Sequence, residues 1–311
     1  MKMPGRQKEP YSIQKSRIGF GYQDKYALFI FLKYLLDKNI KAFFVDKPFG
    51  SNDFSLDVLI IPRKVNNIEI IYEIKTGEEF QRKNEGIAHA LKVFHRYSKT
   101  RSKKCEFHLI VIPQLRAKLG GAWWQLKHLQ ENKSLKYGSQ KISPKKLAEK
   151  LIKDFRLEKE FNDYKEFMKF VQDIKEIKEG VPYEKTGMLS EFTIIEDQII
   201  QSIVNLGKTF EIEYPLELKP ENLMKNLLYD IQKGAENGGD IYSLAKESII
   251  DFFVHKSMIA KKFSDEHFDP NVLKKQETNK IKEIFIEKFE GGIIEQLPRD
   301  AREQQEGKEF Y

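Results

Sequence analysis

The chain has 311 residues, 40% hydrophobic and 32% charged, enough to bury the core of one large domain or two ordinary ones. No apolar run approaches the ~20 residues of a membrane-spanning helix. The opening MKMPGRQKEPYS carries charge with no apolar stretch behind it, so neither membrane insertion nor a secretory leader is expected.

One cysteine, Cys105, excludes an internal disulfide and an all-cysteine metal cage, and a cytoplasmic setting is expected. The net charge of +7 is unevenly spread. Residues 1–115 hold 21 of the 54 Lys+Arg and 12 of the 47 Asp+Glu, leaving 33 against 35 for the remainder. The positive excess therefore lies in the first third, where it suits a polyanionic partner as well as it suits a solvated basic face.

In chain order, a polar tail (1–17) precedes Gly21 to Asp37, whose apolar residues are nearly continuous. Its length, without proline or internal glycine, predicts a helix buried on most sides and closed at Asn39. KAFFVDKPFG reads as a strand ended by Pro48 and Gly50. Ser55 to Ile61 and Ile68 to Lys75 read as a hairpin joined by turn residues through Asn66 and Asn67. In its second strand Glu69, Ile71, Glu73 and Lys75 share one face, and Ile70, Tyr72 and Ile74 the other.

Residues 81–99 switch to helical period, with Ile87, Ala90, Leu91 and Phe94 as the apolar stripe. Glu85, His89, Lys92 and Arg96 form a polar stripe beside it. A basic loop, Lys99 to Lys104, leads to a strand from Phe107 to Ile112, closed by Pro113. The order is αβββαβ, an α/β core with helices flanking a sheet.

Beyond residue 120 helices dominate. They are expected from Pro144, over 159–178, from a cap at Ser190 to Leu206, from Pro220, from Asp240 to Phe263, and from Pro270 to Gly291-Gly292. Phe210 to Pro215 alternates like a strand. The expected division is a tail (1–17), an α/β domain (18–120), a mainly helical domain (121–292) for oligomerisation, partner docking or target recognition, and a polar tail (293–311).

The chemistry concentrates in the hairpin. Asp57 interrupts an apolar strand, and Glu73 and Lys75 lie on one face of its partner. Buried carboxylates need a cation or hydrogen bonds. Asp57, Glu73 and the carbonyl of Ile74 make a partial oxygen shell for Mg²⁺ (or Mn²⁺), and Lys75 beside it can assist a bound water and stabilise charge on a phosphate.

Asp57 and Glu73-Ile74-Lys75 on an αβββαβ skeleton resemble the PD-(D/E)XK superfamily of restriction-endonuclease-like nucleases. The opening GFGYQ, Gly19 to Gln23, is similar to nuclease domains of bacterial anti-phage defence proteins. The resemblance covers roughly residues 18–113. It implies a mixed sheet flanked by helices, metal ligation by Asp57 and Glu73, a catalytic Lys75 and an accessory Gln23. Leu56 stands where the superfamily's name has proline, and Gln23 where many relatives carry a glutamate.

The resemblance implies a DNA endonuclease of anti-phage defence or restriction, double-stranded DNA as partner, a homo-oligomer, and a partner ATPase of a defence system. The alternative is a catalytically inactive nucleic-acid-binding or scaffolding subunit in which the three residues satisfy one another.

Lys92, Arg96, Lys99, Arg101, Lys103 and Lys104 are the expected phosphate-backbone contacts, or a solvated surface. His89 belongs to the site or to solvent, while His89 and His95, six residues apart, make a poor metal pair. Asp46 and Asp53 are further ligand candidates, with Asp53 better suited to turn chemistry. Trp123 and Trp124 stack on bases or pack between the two halves. Gly120-Gly121 lacks the residues of a P-loop, so no intrinsic ATP hydrolysis is expected.

Overall fold

A computed structural model describes residues 17–37, 40–50, 54–63, 68–75, 85–101, 104–111, 122–137, 140–181, 184–186, 189–191, 193–209 and 219–255. It is an α/β structure with a mixed five-stranded sheet and eight α-helices among those residues.

The first helix, α1 (Arg17–Asp37), is apolar almost all round and is buried accordingly, with Tyr22, Leu28, Phe31 and Leu32 nearly inaccessible. Three strands follow: β1 (Ile40–Phe49), β2 (Phe54–Pro62) and β3 (Glu69–Lys75). They pair antiparallel in sequence order. Helix α2 (Glu85–Thr100) then crosses over to β4 (Cys105–Val111), which lies parallel to β3.

Next come α3 (Ala122–Gln130), the short ribbon β5 (Leu135–Tyr137) and β6 (Gln140–Ile142), α4 (Pro144–Asp154) and α5 (Tyr164–Asp173). Strand β7 (Glu176–Glu179) returns to the sheet parallel to β4, giving the order β1-β2-β3-β4-β7. A second ribbon, β8 (Glu184–Thr186) and β9 (Leu189–Glu191), precedes α6 (Thr193–Thr209), α7 (Pro220–Asn237) and α8 (Tyr242–Ile250), which ends in a π-turn, Asp251–His255.

Every residue of β3 is buried, because the strand has a neighbour on each side and a helix over each face. On one face Tyr34 of α1 shares a hydrogen bond of 3.1 Å with Tyr72. On the other, Tyr97 of α2 donates to Glu69 at 2.8 Å. Helix α1 is covered in turn by α6, through a Lys25–Glu196 ion pair of 2.6 Å, and by α7, whose Gln232 donates to Asp24.

The outer edge of β1 is closed by the α7–α8 turn. Gly238, with φ of 58°, ends α7 in the left-handed region. Ile241 then donates its N–H to the Phe43 carbonyl, and the Phe43 N–H donates to the Asp240 carboxylate. Lys47 donates to the Gly238 carbonyl. This blunts an edge that would otherwise present unpaired backbone groups.

Several boundaries differ from the sequence expectation, the first being that α1 starts at Arg17, not Gly21, at the end of the expected tail. The sheet does not stop at residue 120, since β7 supplies its fifth strand. The helix expected over 159–178 spans only Tyr164–Asp173, because Asp163 caps it by accepting the N–H groups of Lys165 and Glu166, and residues 176–179 pair with β4. The helix expected from Ser190 starts at Thr193, Ser190 being in β9. The helix expected from Asp240 begins at Tyr242, and its regular part stops at Ile250. The closing Asn39, the run Phe210 to Pro215, the helix from Pro270, Gly120-Gly121, Asp53, Lys103 and the polar tail 293–311 lie outside the described residues.

Candidate active site

Antiparallel pairing of Val58 with Tyr72 carries the register one step further to set Asp57 opposite Glu73. Directly opposed residues share a face, so both carboxylates project toward α2 together with Lys75. The Lys75 ammonium lies 3.0 Å from Asp57 Oδ2 and 2.7 Å from Glu73 Oε2. The Ile74 N–H donates to Asp57 Oδ2 at 2.6 Å, and the Asp57 N–H donates to Glu73 Oε1 at 3.3 Å. Gln23 of α1 donates from Nε2 to the Ile74 carbonyl at 2.8 Å.

Two carboxylates share one ammonium here, and Glu73 is fully buried. Its carboxyl is pushed up to about 8, first by burial and then by the charge of Asp57, against the opposing pull of Lys75. Glu73 Oε2 is buried, and the Lys75 ammonium at 2.7 Å is its polar contact among the described residues. The donor set of two carboxylates and a strand carbonyl suits a hard divalent cation that keeps several waters.

Asp46 falls between the Val45–Val58 and Lys47–Leu56 pairs, at the level of Asp57, with φ of 48°. Among the described residues no group of three or more His, Cys, Asp or Glu side chains is disposed to hold a metal ion.

The basic residues divide. Arg96 is held by both oxygens of Glu160, at 3.1 and 2.5 Å, and its guanidinium lies over Phe54. Lys99 faces Glu166 at 3.6 Å, and Arg101 lies 3.8 Å from Glu69 and over the Tyr97 ring. Lys104 is exposed and Lys92 half-buried. The acidic partners come from residues 69, 160 and 166, distant in sequence, and nothing local announces them.

His89 is exposed and stacks on Phe54, with centroids 5.6 Å apart and planes at 18°. His95 is buried against Phe161 and lies 3.5 Å from Glu166, so the two histidines point to different surroundings. Trp123 is buried and Trp124 is 40% exposed. The side chain of Glu85 lies outside the described residues. Sequence reasoning missed Phe54 and Tyr97. A lone aromatic at a strand start and a buried hydroxyl eleven residues past Gly86 carry no local signature.

No family model matches the chain, and no curated protein matches it. Among solved structures it is similar to a Cap4 SAVED/CARF-domain containing receptor from Moraxella osloensis, at 15% identity and a TM-score of 0.39. That likeness covers 77% of this chain and 47% of the receptor, so the chain spans about half the receptor's length. No helix among the described residues is long and apolar enough to cross a membrane.

Proposed function

We propose that the protein is a metal-dependent phosphodiesterase of the PD-(D/E)XK type, cutting nucleic acid and double-stranded DNA in particular. The observation that carries this reading is the meeting of Asp57 with the buried Glu73 and Lys75, the ammonium 3.0 and 2.7 Å from the two carboxyl groups. Asp57, Glu73 and the Ile74 carbonyl would hold Mg²⁺ or Mn²⁺, which when bound supplies a water of lowered pKa and a Lewis acid for a phosphoryl oxygen.

The protein's own groups do the rest. Lys75 exchanges its carboxylate partners for the phosphate and stabilises the charge that grows there. Gln23 fixes the direction of the Ile74 carbonyl. The Ile74 N–H does the same for Asp57. The basic first third of the chain, with exposed Lys104 among its cations, draws in the polyanion. The setting proposed with this activity is bacterial anti-phage defence or restriction. The cytoplasmic setting rests on the lone Cys105, and the defence role, homo-oligomer and partner ATPase rest on the family resemblance.

The test is hydrolysis of plasmid and linear DNA in Mg²⁺ or Mn²⁺ by wild type, Asp57→Ala and Lys75→Ala. Cleavage by wild type alone supports the reading, and equal behaviour of all three rejects it.

A second reading has its own observation. Lys75 already contacts both carboxyl groups, and Gln23 already donates to the Ile74 carbonyl. That is the arrangement expected of an inactive nucleic-acid-binding or scaffolding subunit. Calorimetric titration with Mn²⁺ separates the two. A scaffold binds the ion no better than its Asp57→Ala variant, whereas a live site loses affinity on that change.

A further inference from the structure

His89 is the polar group beside the site that the proposed chemistry leaves without a task. Its place follows from the β3–α2–β4 crossover. Because β3 and β4 are parallel, α2 runs back antiparallel to them. Tyr97, near the end of α2, sits over Glu69, near the start of β3. Eight residues back along the helix is about 12 Å, and four residues forward along the strand is about 13 Å. His89 therefore lies at the height of Glu73.

The side chain is held there. Phe54 stacks against the imidazole and also receives the Arg96 guanidinium, 4.4 Å from its ring centre. His89 and Arg96 are seven residues apart, about 10.5 Å along the helix axis, so Phe54 fits between them as a spacer. Phe54 itself lies on β2, three residues ahead of Asp57.

The fields of the site reach the ring. Desolvation, then the Lys75 ammonium, hold its imidazolium below the usual histidine range, while Asp57 pulls the other way. The ring is thus neutral at neutral pH, with one N–H to donate. Among the described residues no hydrogen bond engages either ring nitrogen, and the residue is exposed.

We propose that His89 binds a phosphate of the nucleic-acid strand next to the Asp57–Glu73–Lys75 site, donating its ring N–H to a non-bridging oxygen and positioning the phosphodiester against Lys75. This rests on the phosphodiesterase reading and names a substrate contact for that same site. Phe54 is the positioning residue, which sets the plane of the imidazole.

The experiment pairs two measurements on full-length wild type, His89→Ala, His89→Gln and Phe54→Leu. One is anisotropy of a labelled DNA duplex in Ca²⁺, which reads binding. The other is steady-state cleavage in Mn²⁺. The expected result for His89→Ala is a Kd and KM raised about tenfold, the scale of one lost hydrogen bond to a charged group, with kcat little changed. His89→Gln, which keeps an N–H donor, should recover most of the loss, and Phe54→Leu should show a weaker form of it. A packing histidine would move the thermal midpoint, not KM, and glutamine would not rescue it.

The failures are distinguishable. Cleavage by wild type with unchanged KM in His89→Ala overturns the His89 contact and leaves the phosphodiesterase reading standing. Duplex binding without cleavage by wild type, weakened in His89→Ala and restored in His89→Gln, supports the contact and overturns the catalytic reading. A wild type that neither binds nor cleaves overturns both.

Discussion

Lys75 and Glu73 form a buried pair 2.7 Å apart in which the ammonium is shared with Asp57 at 3.0 Å. One ammonium between two carboxyl groups can compensate only one of them, and burial leaves Glu73 holding its proton up to about pH 8. That imbalance, more than the identity of any one side chain, sets the behaviour of the site.

The pH dependence of stability follows from it. Glu73 is raised from an ordinary 4.5 to about 8 by burial and by Asp57. With the folded value above the unfolded one, its contribution to stability is complete below pH 4.5 and is lost as pH rises through about 8. Metal-free wild type should therefore lose thermal stability between about pH 4.5 and pH 8 relative to Glu73→Gln, which has no such proton. Parallel melting curves for the two proteins over that range would contradict this.

Ion binding should carry the opposite pH dependence. Below about pH 8 a divalent ion has to displace the Glu73 proton, so Mn²⁺ affinity should rise by up to about tenfold per pH unit and then level off. Calorimetry in buffers of different ionisation enthalpy reads the released proton directly.

Lys75→Met separates charge compensation from catalysis. Without the ammonium the two carboxylates are freer for a cation, so Mn²⁺ should bind at least as tightly as to wild type. Cleavage should fall by about 10²-fold or more, since the group facing the phosphate is gone. Weaker Mn²⁺ binding in this variant would mean that Lys75 holds the site open rather than competing for it.

Gln23→Ala removes the N–H donated to the Ile74 carbonyl across 2.8 Å. The expected cost is about 1 kcal/mol, or a thermal midpoint lower by about 2–4 °C. Cleavage should fall by more than that stability change explains, because the carbonyl direction is no longer set. A variant with wild-type activity would make Gln23 a packing residue.

Truncation addresses the domain division. A fragment of residues 1–120 lacks β7, whose Glu176–Glu179 segment pairs with β4, and the α7–α8 turn that closes the edge of β1. It should not melt cooperatively, whereas a fragment ending after residue 255 should. Cooperative unfolding of the shorter piece would restore the boundary at residue 120.

What the amino-acid order determined by itself is local. The unbroken apolar run from Tyr26 to Leu32 makes a helix that has to be buried, and period-two alternation places Glu73 and Lys75 on one face. The short stretch of sequence between β2 and β3 lets the two pair and brings Asp57 alongside them. Each follows from neighbours in the chain and from the repeat of helix or strand. The tertiary structure decided whatever depends on partners far away. The four residues of β7 are a strand only because β4 offers an edge to pair with. Arg96, Lys99 and Arg101 meet carboxylates at positions 160, 166 and 69 that no local pattern foretells. Glu73 acquires its high proton affinity from burial that exists only once two helices have closed over the sheet. Desolvation and long-range charge depend on the whole fold, which is why the residues of the site were legible in the sequence and its electrostatics were not.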